Sequence, residues 1–269
     1  MSTFVSNIDL FSHGFITPAL AYVMSVLGSL IGLLMAGRAR SVAGMSRLWW
    51  LAGAAFAVGG TGVWVMHFVG MLGVRVEGTP IRYDVALTVL SALVAIVAAG
   101  AGLACAFLGG GRGGALAAGG LLAGLGVAGA QHIGMKAMTM SAEVSANPVF
   151  LAVSVLVAVA AAFVVLRSAR RARGPVPVIG SALVAGLLLN GMHYAGMLAL
   201  SVQPVEPQAA LAGAQAVDFL LPLMVGVGLL TIALLLAVFL SPSSHELREE
   251  AELEAMIASR RARNADWMS

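Results

Sequence analysis

Charge is what this chain has little of. Only 10% of its 269 residues are Asp, Glu, Lys or Arg, where a soluble domain carries roughly 25%. That deficit excludes a water-facing surface over most of the chain, and the mean hydropathy of +0.97 agrees. Apolar runs such as "VALTVLSALVAIVAAGAGLACAFLGG" exceed the roughly 18–20 residues that cross a bilayer. Barrel strands are short and alternate, so a barrel is excluded too. The sequence predicts an all-α integral membrane protein whose main partner is the lipid bilayer.

Cysteine is nearly missing. Cys105 stands alone, which excludes an internal disulfide and a thiolate metal cluster. Acids are almost absent from the apolar runs, and no nucleophile motif, phosphate loop or carboxylate pair is visible. Hydrolytic chemistry is therefore not expected, and the chain does not read as an enzyme. The net charge of +3 and pI near 9.6 do not point to nucleic acid, because the arginines sit in short loops, where they act as topology signals. The first apolar run lacks the positive segment that precedes a cleavable signal peptide and reads as a signal anchor.

Seven spans are expected, at about 14–36, 48–73, 84–108, 114–140, 147–166, 177–201 and 217–240. Twelve of the 15 basic residues fall in alternate connections and the C-terminal tail; the other set holds Arg75, Arg82 and Lys136. The excess of Lys and Arg on the cytoplasmic side predicts an N-terminus outside and a C-terminus inside. Residues 1–240 form the membrane domain and 241–269 a polar tail. In the tail, Ser243 and Glu246 have capping-box spacing, and Arg260, Arg261 and Arg263 come late, a pattern that favours a short helix. The tail packs on the membrane surface, meets a cytoplasmic partner or is solvated.

Against this background three stretches stand out: "VWVMHFVGMLG" at 63–73, "QHIGMKAM" at 131–138 and "NGMHYAGMLAL" at 190–200. Their histidines, His67, His132 and His193, lie 65 and 61 residues apart. Each falls roughly 16–19 residues into an outward-running span, or about 24–28 Å into a roughly 30 Å core. The spacing predicts a helix pair repeated three times, plus one extra helix.

His67 and Met71 are four residues apart, as are His193 and Met197, so each pair shares a helix face. Met66 and Met192 directly precede the histidines, and Gly70 and Gly196 allow close helix approach. Imidazole with thioether suits copper, Cu(I) above all, better than Mg²⁺ or Ca²⁺. Zinc fits less well without paired cysteines. A haem held by two histidines, or by His and Met, is the alternative. A single such pair is more often packing, with Met as gap-filler. Three ionisable residues at one membrane depth favour a shared site. His132 and Met135 are i and i+3, and Met138 and His13 are further candidates. Tyr194, Asn190 and Gln131 are supporting polar residues. Trp64 reads as part of an interfacial aromatic belt. His245 reads as solvated, and Arg75, Glu77, Arg82 and Asp84 read as outer-loop charges.

"MHFVGM" and "MHYAGM", repeated in a seven-span chain, resemble the MHYT-domain family, and the resemblance covers about residues 10–240. It implies a bacterial inner-membrane sensory domain whose motif Met and His residues bind copper near the outer face. The implied stimuli are oxygen, carbon monoxide or nitric oxide. Met66, His67, Phe68 and Met71 match the first motif copy, and Met192, His193, Tyr194 and Met197 match the third. In the second copy, the family's register puts Gln131 at the histidine position and Ala130 at the preceding methionine. His132 is then turned about 100° round the helix. Relatives of this family often carry a cytoplasmic output domain, whereas 29 residues follow Leu240 here. Signalling through a partner or the tail is therefore expected. Copper transport or delivery is the competing expectation, weakened by the lack of a deeper ladder of Met or Cys.

Overall fold

The computed structural model describes residues 8–109, 113–205, 212–241, 252–253 and 256–257. Ser243, His245, Glu246 and Arg260 to Arg263 lie outside the described residues. Seven helices are long and apolar enough to cross a membrane: α1 Ile16–Ser41, α2 Gly44–Leu72, α3 Val85–Leu108, α4 Gly113–Lys136, α5 Pro148–Arg171, α6 Pro175–Leu198 and α7 Leu221–Leu240. They form a seven-helix bundle.

α2 is its centre. Its span is 89% buried, against 11% for α7 at the edge, and it packs against α1, α3, α4, α6 and α7. Between Phe56 and Val65 its backbone is π-helical, a widened form that recurs at functional sites. This stretch holds Gly59, Gly60 and Gly62. A methyl placed on Gly28 of α1 would strike the backbone of Gly62, and one on Gly59 would come 2.6 Å from Cα of Ile96 in α3. Here the helices meet backbone to backbone.

The bundle has two distinct ends. At one, Arg38 donates to the carbonyls of Val238 and Ser241, both at 2.9 Å, and Arg40 donates to those of Ala169 and Ala172 at 2.8 and 2.7 Å. These are carbonyls that the ends of α7 and α5 leave without a partner inside their own helices. The first helix runs past residue 36 to Ser41, and its arginines join it to the ends of two neighbouring helices. The nearby core is mostly Ala, Leu and Val, including Ile31, Ala36, Leu51, Ala54, Leu166 and Ala182.

At the other end α2, α4 and α6 finish, and the chain adds strands that the all-α expectation missed. Ile8–Asp9 (β1) pairs with Arg75–Val76 (β2), Arg82–Tyr83 (β3) with Met138–Thr139 (β4), and Ala142–Ala146 (β5) with Leu200–Pro204 (β6), all antiparallel. Hence α4 ends at Lys136 rather than near 140, and α6 at Leu198 rather than 201. Arg75 and Arg82 are strand residues. Asp84 caps α3, its Oδ1 accepting from the Leu87 N–H at 2.9 Å.

Candidate functional site

α2 and α6 run side by side and place His67 and His193 in the core, 2% and 0% exposed. The rings meet edge to face, with centroids 4.9 Å apart and planes at 89°. Their Nδ1 atoms face each other at 3.0 Å. A neutral imidazole has one N–H and one bare nitrogen, so this contact needs one Nδ1 to donate and the other to accept. The Nε2 atoms of both rings are buried with no hydrogen-bond partner among the described residues. Phe68 packs against His67 at 4.8 Å and Tyr194 against His193 at 4.9 Å.

Each far nitrogen lies over a glycine. A methyl on Gly134 of α4 would stand 2.6 Å from Nε2 of His67. One on Gly70 of α2 would strike the His193 ring, coming within 2.8 Å of Cδ2. The third member is Gln131. A methyl on Gly196 of α6 would strike its Nε2. So His67 of α2 docks on α4, Gln131 of α4 docks on α6, and His193 of α6 docks on α2. The three contacts close a ring. Each glycine lies three residues after a ring member, in "HFVG", "QHIG" and "HYAG". Gln131 is 4% exposed. Its amide donates to Ser154 Oγ at 3.2 Å and to the Met192 carbonyl at 3.3 Å, while its Oε1 has no partner among the described residues.

Met66, Met71, Met192 and Met197 are at most 1% exposed and lie in one buried cluster at the motif end, together with Met135. Half-buried His132 does not join the histidine pair. It lines a cavity of about 390 Å³ with Met135, Lys136, Met138, Met140 and Met197. One residue of shift along α4 turns it away, as the spacing implied, and Gln131 takes the inward position. His13 is exposed beside Ser12 Oγ at 3.1 Å, outside the cluster. Buried Asn190 and half-buried Tyr194 have side-chain oxygens without a partner among the described residues; the Tyr194 ring stacks on Phe11 at 5.7 Å. Trp64 is not a belt residue. It is 2% exposed and donates to Ser91 Oγ at 3.0 Å. Tyr83, in β3, packs on Phe68 at 5.9 Å, and burial pushes its phenol up to about 12. The place of Gln131 at the histidine position was legible in the family register, whereas its partner Ser154 was not; the glycine three residues after each ring member was the signal for the ring.

The donor set can be tested against the candidate cofactors. Among the described residues no three of His, Cys, Asp and Glu gather to hold a metal ion, so any ion here would have two imidazoles and thioethers. Those are ligands of a soft ion. A haem iron between the rings would need roughly 2 Å on each side, and a slot for the macrocycle. The two rings touch, so there is no such slot between them.

Comparison with known proteins agrees with this architecture. Residues 60–119 and 124–182 match MHYT, described as a bacterial signalling protein N-terminal repeat. The chain is 37% identical over 247 residues to the bifunctional diguanylate cyclase/cyclic di-GMP phosphodiesterase MucR of Pseudomonas aeruginosa, covering 88% of this chain and 35% of that one. It is 35% identical over 208 residues to the cyclic di-GMP phosphodiesterase NbdA of the same organism, covering 71% and 26%. It is 29% identical over 194 residues to the signaling protein YkoW of Bacillus subtilis, covering 67% and 23%. It thus spans about a third or less of the length of these curated relatives. No solved structure matches. With its helix count, its buried motif residues and two matched repeats, the chain belongs to the MHYT family, as a multi-pass membrane sensor module.

Proposed function

We propose that this module holds a copper ion at His67 and His193 and reports a diatomic gas (oxygen, carbon monoxide or nitric oxide) or redox state to the cytoplasm. Thioethers from Met71 and Met197 complete a four-ligand set, with Met66 and Met192 beside it in the same buried cluster. The observation that carries this reading is the pair of Nδ1 atoms facing each other at 3.0 Å inside a methionine-rich core. Imidazole nitrogen and thioether sulfur together suit Cu(I). The copper supplies a centre that can bind a small ligand or change oxidation state. The protein's part is to exclude water and hold the two rings.

In this reading the fold is three helix pairs related by an internal repeat, plus α7. The motif end faces outward, the arginine end faces the cytoplasm, and the polar tail from residue 241 meets the output. The names of two of the relatives point to cyclic di-GMP turnover as the output, in the same chain or in a partner. A signal requires that the ion or gas favour one of two helix arrangements over the other.

The test is metal analysis of detergent-purified protein after anaerobic Cu(I) loading, wild type against His67→Ala/His193→Ala. About one copper per chain in the wild type, lost in the variant, is expected. Equal copper in both removes the site. A visible spectrum checks haem at the same time, since a Soret band would replace the copper reading. The cavity lined by Met135, Met138, Met140, Met197 and His132 favours a second reading, copper delivery, in which the ion would exchange rather than stay.

A further inference from the structure

The second motif copy fills its place in the ring without supplying the same chemistry. Gln131 reaches the socket at Gly196 with its Nε2, as the histidines reach Gly134 and Gly70 with theirs. The far nitrogen of glutamine thus stands where the far nitrogen of an imidazole stands. The near nitrogen has no counterpart. Where imidazole carries Nδ1 on its Cγ, glutamine has a methylene with no further branch. His67 and His193 use that near nitrogen to face one another at 3.0 Å. At the third corner there is no nitrogen to face them.

The remaining polar atom of Gln131 does not replace it. The amide N–H groups are directed to Ser154 Oγ and the Met192 carbonyl, which fixes the plane of the side chain. Only Oε1 is left, buried and unpartnered among the described residues. An amide carbonyl is a hard oxygen donor and suits Mg²⁺, Ca²⁺ or Mn²⁺ rather than a soft ion. Three imidazoles, in contrast, make a high-affinity set for zinc and other divalent ions. Two imidazoles among thioethers do not.

We propose that Gln131 is the specificity-determining residue of the site: it closes the ring of helix contacts while withholding the third imidazole, so that the site disfavours Zn(II) and Co(II) and takes copper as Cu(I). This rests on the reading of His67 and His193 as an ion site, and it assigns the selectivity of that site to one position. Closure and chemistry are thereby separated. The socket at Gly196 keeps α4 and α6 in contact whichever donor stands at residue 131.

The experiment compares wild type, Gln131→His and Gln131→Leu as full chains in detergent, each with a His67→Ala/His193→Ala counterpart. The probes are Cu(I) under a competing chelator, Zn(II), and Co(II) read by its visible d–d absorption. Wild type is expected to take Cu(I) and to show no tetrahedral Co(II) band. Gln131→His should gain that band and bind Zn(II) at least about tenfold more tightly than wild type, and both gains should vanish with His67 and His193. Gln131→Leu should keep Cu(I) affinity within about threefold. A folded, monodisperse Gln131→His protein without the band overturns the proposal, as does loss of Cu(I) binding in Gln131→Leu. Should Gln131→His fail to fold, X-ray absorption of the Cu(I)-loaded wild type decides: two nitrogens plus sulfur support the proposal, and a third nitrogen or oxygen overturns it. Wild type without Cu(I), alongside a Gln131→His protein that binds Co(II), would remove the copper reading and keep the ring geometry.

Discussion

The two ends of the bundle are built from different materials. Around Ile31, Ala36, Ala54 and Ala182 the core is small aliphatic side chains, with Met35 the only buried methionine of the cluster among the described residues. Around His67 and His193 it holds five buried methionines, Trp64, Phe68 and Tyr83. The arginine end satisfies its polar groups closely: Arg38 and Arg40 occupy the carbonyls of two neighbouring helices. The motif end leaves His67 Nε2, His193 Nε2, Gln131 Oε1, Asn190 Oδ1, Tyr194 Oη and Thr17 Oγ1 buried and without partners among the described residues. An unpaired buried polar atom costs about 1–3 kcal/mol. An end that keeps six of them is shaped by something other than stability, whereas the arginine end holds helices together.

That contrast can be broken. The largest effect is expected from Gly28→Leu, which forces a side chain into the backbone of Gly62. Neither helix can yield without moving. Destabilisation of about 3 kcal/mol or more is expected, seen as loss of the monodisperse peak in size-exclusion chromatography. A wild-type elution and melting temperature would show that α1 and α2 do not meet as described.

His193→Ala should cost about 1–3 kcal/mol, because it leaves Nδ1 of His67 buried and alone. Its thermal melt in detergent should fall, and bound copper should disappear. If copper stayed while the melt fell, the histidine pair would be structural only. Arg40→Ala removes two hydrogen bonds at the opposite end and should cost about 1–2 kcal/mol, since charge-assisted bonds exceed neutral ones but the side chain is partly solvated. Copper content should not change. A parallel loss of copper would mean that the two ends are not separable.

The smallest effect is expected from Ser154→Ala. It removes the 2.8 Å bond to the Met192 carbonyl and one acceptor for Gln131, a cost of about 1 kcal/mol. Copper affinity should hold within about threefold. A larger drop would show that the amide's orientation governs the ion as well as the helix contact.

Much of this was legible in the sequence, for physical reasons. Apolar length gave seven spans because the bilayer sets the length of helix it needs. The i, i+4 spacing put His67 with Met71 and His193 with Met197 on inward faces, and both pairs are buried there. The one-residue offset of His132 was enough to turn it outward. The short strands were not legible. Two-residue pairings such as Arg82 with Thr139 have no hydrophobic alternation to announce them. Trp64 was misplaced because aromatic belts are a statistical tendency, whereas its indole N–H had a specific partner in Ser91. The approach of His67 to Gly134 depended on the lateral order of helices, which one-dimensional spacing does not encode.

The arginine contacts have a mechanical consequence. Arg38 fastens α1 to the end of α7, and Arg40, two residues on, fastens it to the end of α5. Two bolts on different sides of one rod resist its rotation about its own axis. A tilt of α1, by contrast, must drag α5 and α7 along. Displacement starting at the far end therefore leaves the bundle as a shared lean of three helices, not as a twist of one.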